Sequence, residues 1–303
     1  MHPDRRELER HLLNHREDEE TWRVYSDLLV EAGEPTGELA TLHHADRPGL
    51  AQNHVFRHRG WFFGELWPQV RDGVLSFEWA HGHVIAASVA PCVEQGETIA
   101  ALLRLPVARF LDALTITDVF DDTITLLDAD PWPLRGLRWL RTGSAWPTPR
   151  VAPLFPNWPW LEALEAPEHA LPAATHPTLR SLKARLLLPG QWGLPALVAL
   201  DVAENGDTLG ELLASAGCPG LERLALDDDP PDLVSALLDS RCRDTLTRLE
   251  FASLSAASAA RLVEAKGSLP ALTQVLARRF HGDKAERAAL RGTFKKKASS
   301  RAR

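Results

Sequence analysis

One short phrase constrains this chain more than any other feature. L-x-x-L-x-Φ, with Φ usually apolar, occurs at Leu111-Leu114-Ile116, Leu134-Leu137-Trp139, Leu161-Leu164-Ala166 and Leu179-Leu182-Ala184. It returns at Leu197-Leu200-Val202, Leu221-Leu224-Leu226 and Leu246-Leu249-Phe251, and more weakly at Leu272-Val275-Ala277. The first leucines lie 18 to 27 residues apart. Side chains two apart on a strand share a face, so the fourth and sixth positions point to one side while the first leucine packs the preceding turn. A coil of this kind has one apolar side and buries it only against a neighbouring coil, so the phrases predict a stacked array.

The longer steps leave room for a helix after the strand. Suitable segments are 207–216, 231–240 and 256–266, with Asp207 and Ser255 as N-caps for the first and third. The two 18-residue steps are too short for one, so the Pro-rich middle should cross as extended chain. Over residues 96–277 this region resembles the leucine-rich-repeat family. The resemblance implies an α/β solenoid, a curved parallel sheet with short outer helices. Those proteins usually place Asn three residues after the sixth position; here only Asn205 matches, with Thr142 and Asp229 as partial substitutes.

Ahead of the array, Asp4 to about His15 and Glu19 to Ala32 read as helices. In the second, Trp22, Tyr25, Leu28, Leu29 and Ala32 fall on one face. A third helix is expected to start at Thr36 as N-cap and to end at Pro48. The stretch 21–45 carries a Trp22–Tyr25 pair, Asp27 with Leu28 and Leu29, Glu31, and a turn at Gly33, Pro35, Gly37 and Glu38. It resembles the small "repeat-companion" domain that precedes repeat arrays in some bacterial proteins, which implies that repeats follow. Residues 56–90 are aromatic and read as strand-like. Leu75, Phe77 and Trp79 alternate with polar residues, and Ala80-His81-Gly82 forms a turn to Val84–Val89. Trp61, Phe62, Phe63, Leu66 and Trp67 are expected to be the core of this hairpin. The chain thus divides into a helical domain (1–48), an aromatic hairpin cap (49–95), the repeat array (96–277) and a basic tail (278–303), which its Lys, Arg, Gly, Ser and Ala composition marks as disordered.

The net charge of −7 hides two opposite parts. Residues 278–303 hold ten Lys or Arg against Asp283 and Glu286, a local +8, so the first 277 residues carry −15. Cys92, Cys218 and Cys242 form no C-x-x-C pair, which fits a reduced compartment. The charged N-terminus and the absence of a spanning apolar run point to a cytoplasmic protein with no membrane contact. No phosphate-cradling loop, nucleophile elbow or zinc-protease helix occurs, and the chain reads as non-enzymatic with no cofactor. His43, His44, His54, His58, His81 and His83 read as surface and turn residues, with no metal site. Asp121 and Asp122, and Asp227, Asp228 and Asp229 ahead of Pro230 and Pro231, read as solvated loops. Trp132, Trp139, Trp146, Trp158 and Trp160 read as repeat-core residues.

In each phrase the third, fifth and seventh positions project from the open face of the sheet. They include Arg138, Glu165, Lys183, Arg185, Asp201, Arg223, Asp227, Arg248 and Glu250. With strands about 4.8 Å apart this face extends roughly 34 Å, enough for a protein partner. Its mixed charge favours a structured protein over uniform phosphate, and a protein–protein interaction module, a scaffold, is the leading expectation. The alternative is a nucleic-acid-associated protein tethered weakly, in a salt-dependent way, by Lys295, Lys296, Lys297, Arg301 and Arg303.

Overall fold

The computed structural model describes residues 4–118, 136–143, 158, 160–171, 173–204, 208–214 and 217–294. It is a mixed α/β structure with ten strands among the described residues, and it divides into two compact units, Met1–Arg141 and Thr142–Arg303. Among the described residues no helix is long and apolar enough to cross a membrane.

The first unit begins with α1 (Arg5–Asn14), α2 (Glu19–Glu31) and α3 (Pro35–His44). Asp4 caps α1 by accepting from the Arg6 amide, and Asp18 caps α2 by accepting from Thr21. Acidic Glu19 and Glu20 then sit in the first turn of α2, where the helix dipole favours them. The third helix departs from expectation at both ends. Glu34 is its N-cap, while Thr36 is buried in the first turn, and Pro48 opens a further helix rather than closing this one. Gly37 explains the tight turn ahead of it, because a Cβ there would meet the Val30 backbone nitrogen of α2 at 2.4 Å.

Residues 48–71 are a second correction. They form α4 (Pro48–Arg57), α5 (Arg59–Phe63) and α6 (Trp67–Arg71) rather than strand. A dense aromatic run carries strand propensity, but here it serves as the packing surface of short helices under the hairpin. The hairpin itself is as expected: β1 (Leu75–Ala80) pairs antiparallel with β2 (His83–Val89). Phe63 stacks on Phe77 at 5.5 Å, and Phe62 meets Trp79 edge-on at 5.6 Å. Phe62, Phe63 and Leu66 are buried, whereas Trp61 reaches solvent.

After α7 (Gln95–Arg104), β3 (Ala113–Ile116) runs parallel to β2, and β4 (Trp139–Thr142) is the next strand in order. One core cluster of the first unit joins Leu12, Trp22, Tyr25, Leu29 and Phe110. Trp22 meets Phe110 edge-on at 4.8 Å and donates its indole N–H to the Arg16 carbonyl, so the large ring is buried with its one polar atom satisfied. Beside it Glu9 gathers Arg5, Arg109 and the Tyr25 hydroxyl.

In the second unit, β5 (Ala163–Leu171), β6 (Ser181–Leu187), β7 (Ala199–Glu204), β8 (Arg223–Leu226), β9 (Arg248–Ser255) and β10 (Gln274–His281) pair in chain order, every pair parallel. The register repeats the sequence spacing: Leu164, Leu182, Leu200, Leu224, Leu249 and Val275 stand side by side. Helices α8 (Thr208–Ala214), α9 (Leu233–Asp239) and α10 (Ala256–Glu264) fill the three longer steps. Ser255 caps α10 as expected, while Asp207 and Asn205 lie outside the described residues. No helix interrupts the described residues of the two 18-residue steps.

Individual polar side chains fasten these coils. Asp229 accepts from the Ser255 hydroxyl at 2.5 Å, tying the loop after β8 to the end of β9. The aspartate expected to be solvated is therefore a loop fastener. Buried His176 accepts from the Leu179 amide at 3.1 Å and lies 2.8 Å from the Trp158 carbonyl. Burial lowers its pKa, which keeps it neutral in this role.

The C-terminal segment is a further correction. Arg278 to His281 belong to β10, and Lys284–Thr293 form α11, closed at its start by a capping box between Asp283 and Glu286. Leu290 and Phe294 are buried, and Lys266 lies over the Phe294 ring. Two apolar anchors and a cap are enough to order a segment whose average composition is that of a solvated tail. Lys295, Lys296, Lys297, Arg301 and Arg303 lie outside the described residues.

Candidate functional site

On β5, β6, β7 and β9 the alternation that buries one side of the strand leaves the other side, with its charged residues, open to solvent. Leu200 and Val202 of β7 are buried, while Ala199 and Asp201, which alternate with them, are half-exposed. Register then aligns Glu165, Lys183, Asp201, Ala225, Glu250 and Leu276 as one row across the strands. A second row holds Ser181, Ala199, Arg223, Arg248 and Gln274.

These rows enclose a hollow of about 280 Å³, whose charged lining is Lys183, Asp201, Arg223, Asp227, Glu250 and Arg278. Ala225 creates it. Its row neighbours are Asp201 and Glu250, and a methyl group between two long side chains leaves the floor open. Leu276 supplies an apolar wall and is exposed.

Charges of both signs interlock around the hollow. Lys183 and Asp201 are 3.2 Å apart, and Arg185 lies 3.5 Å from Glu204. Glu250 takes two guanidinium groups, Arg223 at 2.6 Å and Arg248 at 2.7 Å. Partial burial pushes the Glu250 carboxyl upward, but the hydrogen bond from Arg223 and the two positive charges outweigh this and hold it below the usual range. Exposed pairs of this kind add at most about 1 kcal/mol each. Their larger effect is to fix the positions of donors and acceptors on an open surface.

Five of the nine predicted residues, Lys183, Asp201, Arg223, Asp227 and Glu250, meet in this hollow. Glu165 flanks Lys183, Arg248 flanks Arg223, and Arg185 belongs to the same strand as Lys183. Arg138 belongs to the first unit, and its phrase is read three residues too early in the sequence. Leu137, Leu140 and Thr142 are the buried trio, while Trp139 is only half-buried. Arg138 therefore follows the first leucine, lies 3.8 Å from Asp112 and points its guanidinium toward the Leu13 carbonyl. Thr142 is a sixth-position residue by this register, not a substitute for Asn.

Ala225, Leu276 and Arg278 are missing from the sequence prediction. All three obey its rule: Ala225 is the fifth position after Leu221, and Leu276 and Arg278 are the fifth and seventh after Leu272. The weak last phrase concealed the latter two, and alanine does not announce itself as a site residue. The tryptophans divide. Trp158 is buried and Trp160 exposed, and Trp132 and Trp146 lie outside the described residues, as do Asp121 and Asp122. Cys218 and Cys242 are buried, which pushes the Cys218 thiol up to about 12 and also raises Cys242.

No family model matches this chain, and no curated protein matches it. Among solved structures, a crystallised protein from Bacteroides fragilis is similar over 81% of each chain, at 15% identity and a TM-score of 0.48.

Proposed function

We propose that this chain is a protein-interaction module of the leucine-rich-repeat type, preceded by a repeat-companion-like helical segment, and that it binds a protein on the exposed strand face of its second unit. The observation that carries this reading is the hollow around Ala225, where charged residues of both signs from successive coils converge beside the exposed Leu276. A face with paired charges, an apolar wall and a recess suits an ordered protein surface with complementary groups and a projecting side chain. Arginines 223 and 248, held on Glu250, are the best-placed anchors, because a planar guanidinium contacts carboxylates in two directions at once.

The test compares partner retention by the full chain, by a chain ending at Phe294, and by the Lys183→Ala, Arg185→Ala, Arg223→Ala triple variant, each at low and high salt. Truncation before Phe294 would cut β10 or α11 and test folding instead. The expected result is one protein retained by the first two chains at both salts and lost by the triple variant, with little change in melting temperature. Retention that needs residues 295–303, falls with salt and brings down nucleic acid would instead establish the tail as the binding element.

A further inference from the structure

Three elements of the first unit bring metal-ligating side chains to one point. Glu19 lies in the first turn of α2, His44 in the last turn of α3, and His81 at the turn between β1 and β2. His44 Nε2 is 3.1 Å from His81 Nδ1, and the Glu19 carboxylate reaches to 3.8 Å from His81 Nε2. One ligand atom from each of the three lies within 4.8 Å of the others. We propose that Glu19, His44 and His81 form a binding site for a divalent late first-row metal ion, with zinc as the natural occupant.

The geometry favours this in four ways. Two imidazole nitrogens bound to one tetrahedral zinc, each at about 2.0–2.1 Å, stand a little over 3 Å apart, so the histidine pair already has the required separation. Glu19 is exposed and at the start of a helix, so its carboxylate can close the remaining distance without moving backbone. His81 is fixed in advance: its φ is +49°, it stacks on Trp22 with centroids 4.5 Å apart and planes 9° from parallel, and the next residue, Gly82, donates its amide to His43 Nδ1. A bulky side chain held at positive φ carries strain of about 1–3 kcal/mol, which the packing around Trp22 and α3 maintains.

The fourth point is access. The cluster opens on a hollow of about 460 Å³ whose lining also includes Asp46 and Arg23, which leaves room for a water or an external ligand at a fourth position. Two imidazoles and one carboxylate suit zinc, copper or nickel; magnesium and calcium require mostly oxygen. Neither histidine is singled out by sequence spacing. They are 37 residues apart, and only the packing of the hairpin turn against α3 unites them.

The test titrates metal-stripped full-length chain with Co²⁺ and then Zn²⁺, following visible absorption and calorimetry. The proposal predicts that one equivalent of Co²⁺ produces d–d bands of four-coordinate intensity without thiolate charge-transfer, and that Zn²⁺ bleaches them. His44→Gln keeps an amide able to hydrogen-bond His81 but should weaken binding about tenfold or more, with circular dichroism unchanged. Glu19→Gln should weaken it too. His58→Gln, which alters the ring pair between His54 of α4 and His58 just after it, should leave it unchanged. Absence of intense bands, thiolate bands from a cysteine, or equal affinity in the chain and in His44→Gln would each overturn the site and leave the histidine pair a hydrogen-bonded clip.

Discussion

The two units are held together by different kinds of information. In the second, each strand repeats the alignment of the one before, and the spacing of leucines in sequence is the offset between paired residues. Its core is a stack of like positions, each touching mainly its neighbours. The first unit has a hub: Trp22 and Tyr25 of α2 meet Phe110 from a distant part of the chain, and Glu9 is tied to Arg109 one hundred residues away. Periodic packing spreads stability along the chain, whereas a hub concentrates it in a few large side chains.

Replacing one hub residue and one stack residue should separate these cases. Trp22→Ala removes a buried indole with four aromatic neighbours and should cost about 3–5 kcal/mol. Leu200→Ala should cost about 2–5 kcal/mol. Hydrogen exchange tells more than the totals. Protection in Trp22→Ala should fall throughout α1, α2 and β2, while the loss in Leu200→Ala should be concentrated in β6, β7 and β8. A uniform loss across β5 to β10 in Leu200→Ala would break the comparison, because it would make the second unit as cooperative as the first.

Glycine sharpens the contrast at a smaller scale. Gly37→Ala places a Cβ 2.4 Å from the Val30 backbone nitrogen, so α3 must withdraw from α2, at a cost of about 1–3 kcal/mol. Gly210→Ala, on α8, meets nothing closer than 3.9 Å and should be neutral or slightly stabilising. Chemical denaturation of both variants measures the difference directly, and equal destabilisation would remove the close helix approach from the account.

Carboxylates give the smallest and most specific comparison. Burial raises Glu9, but hydrogen bonds from Tyr25 and Arg5 and the charge of Arg109 prevail and hold it below its ordinary value of 4.5. A carboxylate lowered on folding adds stability that is complete above the unfolded value and is lost as the pH falls through the folded one. Glu9→Gln should therefore cost about 1–2 kcal/mol at neutral pH and flatten the acid limb of the stability curve below about pH 4.5. Glu250→Gln acts in the same direction on a more open cluster and should cost under about 1 kcal/mol. Equal acid limbs in wild type and Glu9→Gln would show that the network does not hold the carboxylate down.

How much was legible in the sequence follows the same division. Strand positions, helices in the longer steps and most of the charged face were readable, because one rule repeats and errors in one copy are corrected by the next. The exception, around Leu137, arose where a chance leucine at position 134 offered an earlier start for the phrase. In the first unit, ahead of Leu111, no rule repeats. The aromatic run at 56–67 suggested strand but packs as helices, and α7 carried no distinctive signal. The hollow around Ala225 was half legible: its charged rim obeyed the alternation, while the small residue that opens it did not stand out. Leu290 and Phe294 were hidden by the basic residues around them, although two buried side chains are what order α11.

We propose that a protein partner docks in the recess at Ala225, and filling that recess is the sharpest test of this reading. Ala225→Trp should occupy the hollow while leaving the buried row of Leu224 and Leu226 in place, and Glu211→Arg, on the exposed side of α8, serves as a charge change away from it. Partner retention is measured for both variants beside the unaltered chain, with melting temperature as the check on folding. Retention should be lost in Ala225→Trp and kept in Glu211→Arg at similar melting temperatures; undiminished retention by a folded Ala225→Trp would rule out the recess as the docking point.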